Sequence, residues 1–500
     1  MSSVSFSKVG VVGLGTMGAG IAEVLARGEL PVVGIEIDAA ALERGRGHLE
    51  KSTGRAVKRG RLTEDAQREI LGRVTLSTDF GDLADCDLVI EAVPERLDLK
   101  RRVFAELDRV CRPDAVLATN TSSLSVTEIA VATERPTKIV GVHFFNPAPV
   151  MKLVEVIGTV LTEDGAVGRV AGLVEALGKI PVTVGDRAGF VANRLLFGYL
   201  GQAVTMLESG HATRDDIDTA MTKGGGLPMG PFTLMDLIGL DTCLGVLDAI
   251  YEESRDRRHA PSPLLRELVT AGLLGRKTGR GFYDYAGAEA AIPHQAGPVP
   301  SVAVVGDGPL PALVTDAAGD EPGAADLVVV TGDAAVPGGL KPGTIIAITG
   351  PVLERAVASD RAADVVGLRF AELDAPLAEI TTTAVTADAT AARAAELLAG
   401  LGLTPVRCRD RAGAIVDALR FPYLNDAAAM LGAAYADADA IDAAMKYGCG
   451  YPTGPIADLD RLGLSRAVTT LRALHTETRD PSLAPTPLLE EYATANRPLR

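Results

Sequence analysis

Cysteine is scarce and scattered. The 500 residues hold five, Cys86, Cys111, Cys243, Cys408 and Cys449, with no CxxC spacing, so neither a zinc site nor a disulfide framework is indicated and a reducing compartment fits. Positive charge is also in deficit. Lys and Arg number 49 against 65 Asp and Glu, a net charge of -16. A nucleic-acid binder needs basic surface to displace counterions from phosphates, so no nucleic-acid partner is expected, although a local basic patch would still serve a small anion. Long apolar runs are missing as well: nowhere do about 18 consecutive apolar residues occur, and the opening MSSVSFSK carries no signal core. No membrane association is expected, and a cytoplasmic location is. What remains is 47% hydrophobic, enough for several cores in two to four domains.

From Lys8 to about Val184 short apolar runs alternate with longer amphipathic ones: KVGVVG, PVVGIEI, RVTL, DLVIEAV, AVLATN, KIVGVHF, LVEVI and PVTV. This alternation predicts a largely parallel sheet covered on both faces, a Rossmann-type α/β domain over residues 1–186. An all-α domain is expected over 187–286, then a small, proline-punctuated linker at 287–300. The second half repeats the first in weakened form. A shift of 224 positions aligns PVTVGDRAGF with PVRCRDRAGA and KGGGLPMGP with YGCGYPTGP, and 28 of 63 positions match between Gly178–Leu240 and Gly402–Leu464. Duplication follows. A reduced Rossmann-like segment is expected over 301–408 and a second helical domain over 409–500.

The first strand runs into Gly13-Leu-Gly15-Thr16-Met17-Gly18 and then a helical AGIAEVLAR. The first glycine makes the turn, the second admits a pyrophosphate and the third allows close helix packing; the anion would sit on the helix N-terminus. The next strand ends at Glu36, an acid placed to accept ribose hydroxyls and repel a 2′-phosphate, which favours NAD over NADP. The alternative is that Glu36 or Asp38 merely begins the next helix. In the second half VAVVGDGPLP places Pro311 where the third glycine should be, which argues against a second nucleotide site. Seven basic residues between Arg44 and Arg61 face only Glu50: either a solvated face or a seat for a phosphorylated carrier such as coenzyme A.

The stretch GVHFFNPAPVMKLVEVI sets His143 and Glu155 twelve apart in an apolar run. Such a pair can be a base with the carboxylate that orients it, or two satisfied core residues. Likewise Ser122 could cap the helix near Ser125, and Asn193 could be a helix N-terminal group. No third ligand accompanies His143 and Glu155 at recognisable spacing, so no metal site is expected.

GLGTMG, ATNTSSLS, the HFFNP–LVEVI stretch, DRAGFVANRLL, GLPMGPFTLMDLIGLD and GRKTGRGFYDY occur in order between about residues 7 and 286. Together they resemble the (S)-3-hydroxyacyl-CoA dehydrogenase family. The resemblance implies reversible NAD-dependent oxidation of a short-chain 3-hydroxyacyl-CoA, such as the 3-hydroxybutyryl or 3-hydroxyadipyl ester. It implies His143 as general base, Glu155 as its partner, and Ser122 and Asn193 as hydrogen-bond donors to the reacting oxygen or thioester carbonyl. Glu95, Lys100, Asn146 and Lys277 fall on cofactor-contacting positions, beside the loop residues Gly13, Gly15, Thr16, Met17 and Gly18 and the acid Glu36. Ser52, Lys58 and Arg59 fall on coenzyme A positions, with Ser122 also touching substrate. In the second half Arg369 stands where His143 would be, Glu379 keeps the acid's place and Asp417 replaces Asn193. A structural second half is therefore expected, either in a homodimer through the helical domains or as an intra-chain pseudo-dimer; a regulatory half with its own ligand is the alternative. Competing readings of the whole chain are a dehydrogenase of a free hydroxy or sugar acid and a non-catalytic NAD-binding structural protein.

Overall fold

A computed structural model describes residues 6–285, 287 and 299–500; most of the expected linker, 288–298, lies outside the described residues. The eight apolar runs of the first half become β1 (Val9–Val12), β2 (Val32–Ile35), β3 (Val74–Ser77), β4 (Leu88–Glu91), β5 (Val116–Thr119), β6 (Ile139–Phe144), β7 (Leu153–Gly158) and β8 (Ile180–Gly185). They form one sheet in the order β3-β2-β1-β4-β5-β6-β7-β8. Every ladder is parallel except β6–β7. The inner strands β1, β2, β4 and β5 are buried throughout, which is why they read as continuous apolar runs rather than alternating ones. One face is covered by α1 (Thr16–Arg27), α2 (Ala39–Lys58) and α3 (Glu64–Gly72).

The second half builds a six-stranded sheet from β9 (Val302–Val305), β10 (Leu327–Val330), β11 (Ile345–Ile348), β12 (Val365–Arg369), β13 (Leu377–Thr382) and β14 (Thr404–Arg409), in consecutive spatial order. Its single antiparallel ladder, β12–β13, matches β6–β7. Here β9 pairs with β10 as β1 pairs with β4. The duplicate has therefore lost the unit β2-α2-α3-β3, leaving β9 as an edge strand. The helix after β9 spans only Ala312–Thr315, with Pro311 at its N-cap in the place that Gly18 holds in the first turn of α1.

The helical domains repeat element by element. The long helix Ala192–Glu208 has its counterpart in Val416–Gly432, and the helices from Arg214, Pro231, Leu240 and Pro263 theirs in those from Ala438, Pro455, Leu464 and Pro487. The motif Gly-Pro opening Pro231–Ile238 is a close approach: a Cβ on Gly230 would lie 2.3 Å from the Asp218 carboxyl carbon, and that carboxylate accepts the Phe232 and Thr233 amides at 2.8 and 3.0 Å. Asp442 does the same for Ile456 and Ala457. The two long helices pack on each other, and one apolar core runs through both helical domains. Each half also lends a helix to the other's sheet: Ala438–Gly448 lies on β7 and β8, and Arg214–Lys223 on β13 and β14. Among the described residues no helix is long and apolar enough to cross a membrane.

Candidate active site

The site lies at the carboxyl ends of β1, β2, β4, β5 and β6, where the strand order reverses between β1 and β4 and a crevice opens. Gly13 adopts φ +88°, open to glycine, and its amide closes the turn onto the Ile35 carbonyl at 2.9 Å. A Cβ on Gly18 would stand 1.7 Å from the Gly13 carbonyl oxygen, so α1 can pack this closely only with glycine there. Among the described residues nothing lies within 4 Å of where a Gly15 Cβ would point, and no side chain caps the α1 N-terminus at Gly15. Thr16 is exposed and Met17 half-buried at the cleft wall. The helix start is thus left with open amides facing free space, which fits a pyrophosphate. Glu36 does not begin the next helix. Asp38 caps α2 through the Ala41 amide at 2.7 Å, while Glu36 turns back to accept the Leu14 amide at 2.6 Å, which sets its carboxylate beside the loop.

His143 and Glu155 are directly opposite in the antiparallel β6–β7 ladder, so their twelve-residue spacing is a hairpin register. The His143 Nδ1 lies 2.7 Å from Glu155 Oε2. Glu155 is fully buried, and its other oxygen accepts the Val191 and Ala192 amides at 3.1 and 3.0 Å. One carboxylate thereby joins the histidine to the positive end of the helix Ala192–Glu208. Phe145 and Phe190 flank the imidazole, with ring centroids 4.4 and 5.8 Å away. The remaining ring nitrogen, Nε2, is the one left for the cleft, a space of about 330 Å³ lined also by Glu95, Asn120, Ser122, Asn146 and Asn193.

Ser122 is not a helix cap. Ser125 caps its own helix through the Glu128 amide at 3.2 Å, and Asp186 accepts the Val126 and Thr127 amides. The Ser122 amide instead donates to Glu95 at 3.0 Å, which holds the residue at the cleft. Asn193 stands in the first turn of its helix, whose backbone start is taken up by Glu155, so its side chain faces the cleft. Asn120 was missed in the sequence; it lines the cleft and its Oδ1 accepts the Phe144 amide at 2.9 Å. Its place in ATNTSSLS, two residues before Ser122, is the sequence signal for it.

Two residues expected at the cofactor, Lys100 and Lys277, do not line the cleft. Lys100 is fully buried: its Nζ lies 2.8 and 3.0 Å from the two Glu91 oxygens and 3.3 Å from Glu95. It underlies the cleft rather than lining it, because an ammonium with two carboxylates around it is held in the interior. Burial opposes the charge on Glu95, but the Lys100 ammonium, the Thr121 hydroxyl and the Ser122 amide outweigh it and keep the carboxyl below the usual glutamate range. Lys277 pairs with Asp241 at the start of the helix Leu240–Ser254 and is not among the cleft residues.

Ser52 is half-buried on α2, and Lys58 and Arg59 are exposed at its end. Of the seven basic residues of this hairpin, only Arg46 has an acidic partner among the described residues, Glu43 at 3.3 Å. Among the described residues no group of three or more His, Cys, Asp or Glu could hold a metal ion. In the second half Arg369 opposes Glu379 in the matching ladder, but it is exposed. Glu379 still accepts two helix amides, from Ile415 and Val416. Asp417 is taken up by ion pairs with Arg420 at 2.8 Å and Arg466 at 3.0 Å.

Comparison with known proteins agrees with this arrangement. A family model described as 3-hydroxyacyl-CoA dehydrogenase, NAD binding domain, matches residues 8–187. The model of the C-terminal domain of that family matches twice, at 189–285 and 413–500, which marks the duplication independently. A 3-hydroxyadipyl-CoA dehydrogenase of Escherichia coli (strain K12) is 35% identical over 492 residues, 98% of each chain. A 3-hydroxybutyryl-CoA dehydrogenase of Mycobacterium tuberculosis (strain ATCC 25618 / H37Rv) is 47% identical over 285 residues, 57% of this chain and all of its own. A crystal structure of 3-hydroxybutyryl-CoA dehydrogenase from Escherichia coli K12 superposes with a TM-score of 0.82 at 34% identity, covering 98% of this chain and 99% of that one.

Proposed function

The chain belongs to the 3-hydroxyacyl-CoA dehydrogenase family and is an NAD-dependent oxidoreductase, and from that premise we propose that it interconverts a short-chain (S)-3-hydroxyacyl-CoA and its 3-oxoacyl ester with His143 as the acid–base residue. The observation that carries this reading is the His143–Glu155 pair. A carboxylate on Nδ1 keeps the proton there, so Nε2 offers its lone pair to the substrate hydroxyl. As that proton arrives, Glu155 stabilises the imidazolium, and its own charge is steadied by the two helix amides. Ser122 and Asn193 supply donors to the oxygen that becomes a carbonyl, already aimed by Glu95 and by the helix start. Bound NAD supplies the hydride acceptor. The loop and Glu36 would hold it, with Glu95 and Asn146 at the cleft end. Lys100 acts through Glu95 as a positioning residue.

The coenzyme A moiety is assigned to the α2–α3 hairpin through Ser52, Lys58 and Arg59. The full-length relatives carry the names 3-hydroxyadipyl- and 3-hydroxybutyryl-CoA dehydrogenase, so a four- or six-carbon acyl group is the substrate class. The second helical domain takes the place of a partner subunit within the chain, a role its shared core supports. Reduction of acetoacetyl-CoA and 3-oxoadipyl-CoA by NADH, compared with the free acids, tests the assignment. Turnover of the esters alone is expected, and His143→Gln should lower kcat by about 10²–10⁴ while NADH binding persists. Equal use of a free acid, or retained turnover in His143→Gln, would defeat it.

A further inference from the structure

The repeat gives each residue at the junction of the halves a counterpart 224 positions away, and the two sides of the junction differ. Beneath the His143 site the space is filled. Phe190 packs on the imidazole, Arg194 pairs with Glu253 at 3.3 Å, and Tyr435 donates its hydroxyl to the Gly185 carbonyl at 2.9 Å with Arg187 over its ring. On the other side the counterparts of Phe190, Arg194 and Tyr435 are Ala414, Ala418 and His211. A cavity of about 680 Å³ opens there, lined by all three.

Its charge is unbalanced in a specific way. Of the acids on its wall, Glu477 is ion-paired with Arg411 and accepts the Ala412 amide, while Glu208 and Asp480 are held by neutral donors, the Leu264 amide and the Ser482 amide and hydroxyl. Arg257 and Arg409, both exposed on the wall, have no acidic partner among the described residues. At Gly185, the counterpart of Arg409, no cation exists. Two guanidiniums without an acidic partner on one cavity wall favour a phosphorylated anion, since each can grip a phosphate with paired donors, and the volume is in the range of sites for small organic ligands.

We propose that this cavity binds a small molecule bearing two adjacent phosphate groups, at a site separate from the NAD loop and from the coenzyme A hairpin. The test is calorimetric titration of the full chain, saturated with NADH to fill the loop, with ADP and with inorganic pyrophosphate. One site is expected, weakened about tenfold or more by Arg409→Ala and lost in Ala414→Phe, which restores the residue of the first half. Should Ala414→Phe not fold, the exposed Arg409 still decides the matter. Equal affinities would identify the diphosphate itself as the ligand, and tighter ADP binding a nucleoside diphosphate. The proposal is overturned if neither probe binds, if Arg409→Ala binds as the parent does, or if binding is lost instead in a Lys58→Ala, Arg59→Ala variant.

Discussion

Replacing Glu379 with glutamine should stabilise the protein at high pH and leave it unchanged at low pH. Glu379 is 2% exposed, and burial pushes its carboxyl from 4.5 up to about 7, against the partial help of the Val416 and Ile415 amides. Its counterpart Glu155 has an imidazole nitrogen 2.7 Å away, whereas Arg369 opposite Glu379 is exposed. The folded chain therefore holds this proton more tightly than the unfolded chain. The associated stability is complete below about pH 4.5 and is lost as pH rises through about 7. At about 1.4 kcal/mol per tenfold in the acid constant, the rise corresponds to about 3 kcal/mol. Glutamine keeps a carbonyl oxygen for the two amides but carries no proton to lose. Urea unfolding of both proteins at about pH 4 and about pH 8.5, followed by circular dichroism, should give near-equal stabilities at the lower pH and a glutamine advantage approaching that figure at the higher. Identical pH dependence in the two proteins would refute the reasoning. Turnover of the variant should match the parent.

Glu155→Ala strips the acceptor from the Val191 and Ala192 amides and should cost about 1–3 kcal/mol of stability as well as turnover. Glu155→Gln should recover most of the stability but not kcat, and denaturation beside steady-state kinetics separates the two roles. Lys58→Ala and Arg59→Ala should raise KM for the acyl-CoA ester and flatten its dependence on salt without altering kcat, since exposed charges act through a screened field; kinetics between low and high ionic strength check this. Removing residues 301–500 should leave an insoluble or inactive remainder, because Tyr199 and Met221 lose the core they share with the second half; a stable, active monomer on size exclusion would contradict this.

The sheet was legible because every strand of the first half is an apolar run bounded by polar residues, a local property. His143 and Glu155 were legible as a spacing, but their opposition needed the β6–β7 register, which only pairing defines. The burial of Lys100 was not legible, because it depends on Glu91 and Glu95 meeting the lysine in space, and the latter lies on a loop after β4. The pairing of Lys277 with Asp241 was hidden for a related reason, since the two are far apart in sequence. The loss of β2 and β3 from the second half showed as a shortened α/β unit. The exchange of helices between the halves left no trace, since the apolar face of Ala438–Gly448 would look the same against any partner.

That exchange bears on synthesis. The sheet that carries His143 is fully translated at Gly185, but the helix covering β7 and β8 begins at Ala438, some 250 residues later. At about 5–20 residues per second, the ribosome needs roughly ten seconds to a minute to deliver it. Through that interval the nascent first half presents an uncovered apolar sheet face to chaperones and to neighbouring chains. The cover arrives only once Gly448 is made, so a ribosome stalled between Gly185 and Ala438 is expected to leave an aggregation-prone fragment.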